Sequence, residues 1–374
     1  MMRFTCGLPA LVVALLLIRS ACAVEVDGLL KTLQAVGPES AVQAAAAAAW
    51  KELAQAEPAQ LPAILAGLDG ANPLAANWIR SAAEAVAERA LRSQRPLPVA
   101  ELENFLADRR HAAGARRLAY EWIVQVAPAK SKPLLAGMLD DPSLDLRYDA
   151  VALRIDEADA LRRNGQSAPA TAAFREALTA ATDLDQVRRV ADRLKQLGQT
   201  VDLARHFGFL LRWKLIGPFD NAAGKGLATV YPPERKTEPA GSYSGKHGQV
   251  KWIDHATSDE LGKVDLNVVL GEEKAVVAYA TCEFWVAKQR PVDLRLNTAN
   301  AAKVWLNGKL LHAHGFYHDG VAFDQYVMHA ALQAGRNVIL LKICQNEQTE
   351  EWARLWDFQL RICDQHGVGV PADR

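Results

Sequence analysis

His312, His314, His318 and Asp319 form the densest group of ionisable side chains in this 374-residue chain. On a strand, residues two apart point to the same side. His312 and His314 could therefore offer two imidazoles to zinc, copper or iron, with a carboxylate completing the set. The competing reading, and the default for such residues, is of histidines solvated in a loop, so no cofactor is expected. Aromatic residues stand close by. Phe316, Tyr317 and Trp352 fall in loop-like sequence, where an aromatic face can stack on the C–H surface of a sugar while polar neighbours take its hydroxyls. Arg295, Asp324, Gln345 and Asn346 are the polar companions this reading assigns. The segment after Gln345 has a second reading, as a loop tied back by its own side chains. Trp285, Trp305 and Trp356 sit in strand patterns and are expected in the core.

Signatures of catalysis are missing. The sequence contains no Gly-x-Ser-x-Gly elbow, His-Glu-x-x-His helix or reactive-cysteine pattern. Adjacent carboxylates such as Glu350 and Glu351 do not supply the two facing carboxyls that glycosidic chemistry needs. A protein that binds rather than catalyses is expected, its strand-rich half holding a glycan or a peptide. A polysaccharide-acting enzyme with an atypical site and a purely structural envelope component are the alternatives.

The elements that must position these residues read as strands. Trp213–Phe219 ends in Gly-Pro, which predicts a stop. Residues 220–250 are rich in Gly and Pro and too long for a plain turn, so they are expected to wrap the domain surface. Residues 275–287 predict a long strand with Val277, Tyr279, Thr281, Glu283 and Trp285 on one face. Lys303–Leu306 and Lys309–His312 flank Asn307-Gly308, the dipeptide of two-residue hairpin turns. Further strands are expected over Phe323–Met328, Val338–Ile343 and Trp356–Ile362. Many short strands separated by turn residues indicate a jelly-roll-like antiparallel β-sandwich.

Before residue 210 the composition is different. From Val24 to Arg205 the chain is rich in Ala, Leu, Arg and Glu at helical spacing. Three stretches repeat a short apolar helix, a polar turn and a longer helix, marked by Arg80, Arg117 and Arg147. In the third, Asp141 is expected to cap the second helix and Pro142 to fill its first turn. An α-solenoid of this kind presents a concave face to a protein partner, or merely spaces the second domain.

Some of these residues carry resemblances. Asp141-Pro-x-x-x-Leu-Arg147 followed by alanines resembles HEAT-type repeats. Asn164-Gly165, Ala170, Phe174 and Ala177 resemble part of one tetratricopeptide (TPR) unit, and an ordinary helical hairpin explains them equally well. Val304-Trp-Leu-Asn-Gly-Lys309, then Leu332-x-x-Gly-x-Asn337 and an apolar strand, resemble the galactose-binding-like, sugar-binding jelly-roll modules attached to many glycoside hydrolases, over residues 250–363. With Trp213-x-x-x-Gly-Pro-Phe219 and Cys344-Gln-Asn-Glu-Gln348, the whole arrangement also resembles exported planctomycete-type proteins. The sandwich resemblance implies the fold and a carbohydrate partner. Its motif residues are turn and core residues, so it implies no particular ligand.

The first residues read as a signal peptide. Arg3 precedes the apolar run Leu8–Ile18, and Ala21-Cys22-Ala23 supplies small residues for cleavage after Ala23, with lipidation of Cys22 as the rival reading. The expected organisation is a signal peptide at 1–23, a helical-repeat domain at 24–209, a β-sandwich at 210–365 and a tail at 366–374. The mature protein would be exported to the periplasm, cell envelope or exterior, with no integral membrane segment. Its 43 basic and 43 acidic residues leave no net charge, which argues against a nucleic-acid partner.

Overall fold

The computed structural model describes residues 26–38, 43–235 and 241–372. The expected signal peptide lies outside the described residues. No helix among them is long and apolar enough to cross a membrane. The chain divides into two compact units, one ending at Ala181 and the other starting at Thr182.

The first unit is helical: α1 (26–34), α2 (Gln43–Leu53), α3 (Leu61–Ala66), α4 (Pro73–Arg92), α5 (Val99–Ala107), α6 (Ala113–Val126), α7 (Ser131–Leu135), α8 (Leu144–Arg163) and α9 (Ser167–Ala180). The short–long alternation read from the sequence recurs as α3–α4, α5–α6 and α7–α8. Asn72 starts α4 by accepting from the amides of Leu74 and Ala75 at 3.0 and 3.1 Å, with Pro73 in the first turn where no amide donor is needed. Ala75, Ala82, Ala83 and Ala87 are fully buried, and their small side chains let neighbouring helices approach closely. One expectation is corrected at α8. Its N-cap is Ser143, whereas the Asp141 carboxylate receives both ends of the Arg116 guanidinium at 2.7 Å. Asp141 reaches the helix start only by accepting from the Ser143 amide at 2.8 Å.

The second unit opens with α10 (Leu184–Gln196) and α11 (Leu203–Phe207), started by the side chains of Asp183 and Asp202. The composition change at 210 therefore falls later than the division between units. Gly208 follows α11 at φ 78°, in contact range of the Ile362 carbonyl where a Cβ would collide. Only glycine meets both demands.

Two antiparallel sheets follow. One has six strands in the order β4 (Ile253–Ala256), β1 (Arg212–Asp220), β6 (Val276–Val286), β11 (Gly335–Gln345), β8 (Ala301–Leu306), β9 (Lys309–His314). The other has four, β10 (Tyr326–Leu332), β7 (Arg290–Asn297), β12 (Asp357–Cys363) and β5 (Val264–Asp265); β2 (Ser242–Ser244) and β3 (Gln249–Lys251) pair separately. The period of two explains the core. Ala278, Ala280 and Phe284 of β6 and Leu341 and Ile343 of β11 meet Leu294 and Leu296 of β7 and Leu360 and Ile362 of β12. Trp356 is buried here as expected, while Trp285 and Trp305 are only half-buried.

Asn307 and Gly308 take φ of 52° and 79°, the turn their pairing predicts. The Asn307 side chain then donates to Asn337 at 2.9 Å and accepts from the Val338 amide at 2.8 Å, so the two motif asparagines clamp hairpin to turn. β1 does not stop at Gly217-Pro218 but bulges there and resumes to Asp220. The strand expected over 323–328 is displaced to Tyr326–Leu332. Asp324 has φ 59°, and Phe323 lies 5.1 Å from the Phe207 ring. The C-terminal segment folds back, with Val370 buried and its amide donating to Ile362 O at 2.9 Å.

The outer face of the six-stranded sheet carries a second core. Val277, Tyr279, Leu340 and Cys344 are covered by Leu227, Tyr231, Tyr243 and Trp252 from the wrapping segment after β1, hereafter the strap. The strap contains the short helix α12 (Pro232–Arg235). Cys282, Cys344 and Cys363 are free thiols, and burial pushes Cys344 up to about 12 and Cys363 up to about 11.

Asp357, at the start of β12, is buried beside Asp265 and Asp259 with Lys263 opposing them. Burial raises its carboxyl from 3.8 to about 6. The native state then holds a proton that the unfolded chain has released between about pH 4 and 6. Stability should fall across that window as pH rises, by up to about 3 kcal/mol, and level off above it. Asp357→Asn should flatten this dependence and raise the melting temperature at pH 7. Parallel pH profiles that fall equally in both proteins would refute the assignment.

Candidate functional site

At one end of the sandwich, the β9–β10 connection (315–325) meets the β11–β12 connection (346–356) and the start of the strap. Local chemistry fixes this meeting. Asn221 is fully buried, and its Nδ2 donates to Gln345 O at 2.8 Å and to the Tyr317 hydroxyl at 3.0 Å. Its Oδ1 accepts from the Gly226 amide at 2.9 Å. The Gln345 side chain, also fully buried, donates to the carbonyls of Ala353 and Leu355 at 3.2 and 3.1 Å and accepts from Asn300 at 3.3 Å. The Asn346 carbonyl accepts from the Ala275 amide at 2.8 Å.

On this frame stand the side chains that could meet a ligand. Phe316 is 69% exposed and Trp352 60% exposed. His318 presents its ring to Trp352 edge-on, with centroids 5.1 Å apart, and its Nε2 donates to Asn346 Oδ1 at 3.1 Å. Its Nδ1 is buried and unpartnered. Glu347 is occupied by the Ala223 amide. Aromatic surface with adjoining amide groups suits a polar ring with an apolar face.

No family model matches this sequence, and no curated protein matches it. Solved structures show faint likenesses. A family 35 carbohydrate-binding module from Clostridium thermocellum aligns at 15% identity and a TM-score of 0.17, over 27% of this chain and 85% of that one. An anti-sigma factor domain-containing protein from Clostridium clariflavum aligns at 13% identity and 0.25, over 44% of this chain. A β-glucosidase from Kluyveromyces marxianus aligns at 12% and 0.27, over 46%. The chain spans 46% and 21% of the length of these last two. At such TM-scores the likenesses carry no argument about a ligand.

The residues read from the sequence thus separate into groups. Tyr317, His318, Asn346 and Trp352 come together, and Phe316, next to Tyr317 in the chain, is exposed. Gln345 lies beneath them with its amide consumed internally, so the reading of a loop tied back by side chains applies to it. Asp324, at the far end of the β9–β10 connection, and Arg295 of β7 are turned to another use. The Asp324 carboxylate takes Arg295 at 2.7 Å and Arg361 at 2.6 Å, and Arg361 also donates to the carbonyls of Phe207 and Gly367. This network anchors α11 and the C-terminal segment to β12; it occupies the Asp324 carboxylate and both terminal nitrogens of Arg295, whose buried Nε has no partner.

His312 and His314 are also occupied. The Asn300 carbonyl can only accept, so His314 Nε2 donates to it at 2.9 Å. With the ring neutral, His314 Nδ1 accepts from His312 Nε2 at 3.0 Å. Burial lowers both imidazoles, which favours that neutral pair. His314 further stacks on Tyr326 at 4.1 Å. Among the described residues no group of three or more His, Cys, Asp or Glu could hold a metal ion. Sequence reasoning missed Asn221, whose only signal was an amide residue directly after a strand.

Proposed function

We propose that this chain is an exported, non-catalytic binding and scaffold protein. Its sandwich holds a glycan on the loop end bearing Phe316, Tyr317, His318, Asn346 and Trp352, and its paired helices, with their resemblance to HEAT repeats, engage a protein partner. The observation that carries the sugar-binding reading is the exposure of Trp352 and Phe316 on loops whose backbone is fixed from below. Exposed aromatics on mobile loops would lose affinity to ordering, whereas a preset platform avoids that cost.

Affinity electrophoresis of the full chain through gels containing a broad set of polysaccharides tests this. Retardation in at least one gel is expected, and Trp352→Ala should abolish it while leaving the melting temperature within about 1 °C, because an exposed side chain contributes little to stability. Free migration in every gel removes the sugar-binding reading.

A further inference from the structure

The opposite end of the sandwich holds a second recess. It forms where the turn between β6 and β7 meets His329 of β10 and the segment 364–366. The eleven residues of β6 separate it from the aromatic loops, roughly 35 Å at the rise of a strand. Its volume is about 940 Å³, enough for a ligand of one or two sugar rings. We propose that it binds a small organic anion, whose carboxylate or sulfate is taken by Lys288, Arg290 and His329.

Charge accounting supports this. Several cations of the sandwich are matched, Lys214 to Asp254, Arg336 to Glu283, Lys342 to Glu234, and Arg295 to Asp293 and Asp324, while among the described residues no ion pair is made by Arg212, Lys303 or Lys309, which lie away from this recess. Lys288 and Arg290 line the recess, and their side chains make no ion pair or hydrogen bond among the described residues. Of the two acidic residues in the lining, Asp293 is paired with cations and Asp364 is bonded to backbone amides. Asp293 is buried and accepts from Arg295 at 2.9 Å and His329 Nδ1 at 2.7 Å. Asp364 accepts from the amides of His366 and Val368 at 2.9 and 3.0 Å, which shapes the recess wall.

The histidine geometry adds direction. A carboxylate only accepts, so His329 Nδ1 carries its proton toward Asp293 and the ring is held from behind. Its Nε2 edge is left to solvent on a side chain that is 84% exposed, and it donates to an oxyanion in the imidazolium form, in which both ring nitrogens carry a proton. The result is an oriented imidazole beside an arginine and a lysine, with Val286, Val292 and Pro371 as apolar wall. Guanidinium and ammonium groups together suit an oxyanion, and the wall suits an organic body carrying it.

Calorimetric titration of the full chain decides the matter, with galacturonate and galactose 6-sulfate as acidic probes, galactose as the neutral one and inorganic phosphate as the bare anion. At least one acidic sugar should bind and galactose should not, with affinity falling as salt rises. Which acidic sugar binds identifies the group recognised. Lys288→Glu with Arg290→Glu should weaken binding at least about tenfold, since each change replaces attraction by repulsion. His329→Gln should weaken it by a few-fold without altering the fold. Trp352→Ala, at the far end, should leave anion binding unchanged, which keeps this site separable from the platform. Equal binding of galactose, phosphate as tight as the acidic sugars, no heat with either acidic sugar at millimolar concentration, or full binding by the double reversal would each overturn the proposal.

Discussion

Lys342→Ala is expected to destabilise the strand-rich unit by about 3–5 kcal/mol, the usual cost of leaving a buried charge without its partner. Lys342 is fully buried on the outer face of β11. All three of its ammonium protons are placed, on Leu227 O at 3.2 Å, Thr229 O at 2.7 Å and Glu234 Oε1 at 2.7 Å. Its ammonium also lies 5.4 and 5.5 Å from the rings of Tyr231 and Tyr279. Tyr279 donates its hydroxyl to the same Glu234 oxygen. Burial pulls the ammonium below its ordinary range while Glu234 pushes it back, so the charge survives only as part of the pair. Truncation would strand Glu234 and two strap carbonyls together. The strap should then open, freeing the backbone beside the exposed Lys225 and the half-buried Lys246 for cleavage by trypsin. Lys342→Met combined with Glu234→Gln should recover most of the loss, since an apolar stem and a neutral amide remove both unpaired charges. Thermal melts and trypsin digestion time courses of the three proteins provide the comparison. A Lys342→Ala protein that melts and digests like the parent would show that the strap is held by its aromatic contacts alone.

That lock was invisible in the sequence, and the reason generalises. What periodicity and turn chemistry specify locally was legible: the helical half, the sandwich, the Asn307-Gly308 hairpin and the wrapping of the segment after β1. Each depends on neighbours a few residues apart. Lys342 and Glu234 lie far apart in the chain and meet only because a strap crosses a sheet. Nothing in either neighbourhood marks the other. The same limit explains Arg295 and Asp324, whose types suit a ligand as well as they suit each other. The sequence shows donors and acceptors but not which are already paired. The aromatic loops were partly legible because loop position and side-chain type both point outward, whereas Asn221, which sets their spacing, has no such mark. In α6 the spacing of the repeat marker says nothing of which side chain is buried. Arg117 served as the repeat marker, but its side chain is partly exposed and pairs with Glu121 one turn on. Its neighbour Arg116, about 100° around the helix, is the one turned inward.

Arg116 carries the second large effect. Its side chain and that of Asp141 are each 1% exposed. The guanidinium gives two parallel bonds of 2.7 Å to the carboxylate, while its Nε donates to Leu106 O at 2.8 Å. Three segments meet at this one group: the end of α5, the face of α6 and the turn entering α8. Asp141→Ala should cost about 3–5 kcal/mol, because it leaves a desolvated guanidinium fork with nothing to accept from it. Arg116→Lys should cost nearly as much despite keeping the charge, since an ammonium cannot make both parallel bonds and reach Leu106 O. Arg109 provides the contrast. It lies 3.7 Å from the same carboxylate but is substantially exposed, so Arg109→Ala should cost less than about 1 kcal/mol. Urea melts of the full chain followed by far-ultraviolet circular dichroism, which weights the helical unit, would rank the three variants. A ranking in which Arg116→Lys matches the parent would mean that charge alone holds these helices. The expected ranking would instead assign their register to bidentate geometry, a property that no count of acidic and basic residues contains.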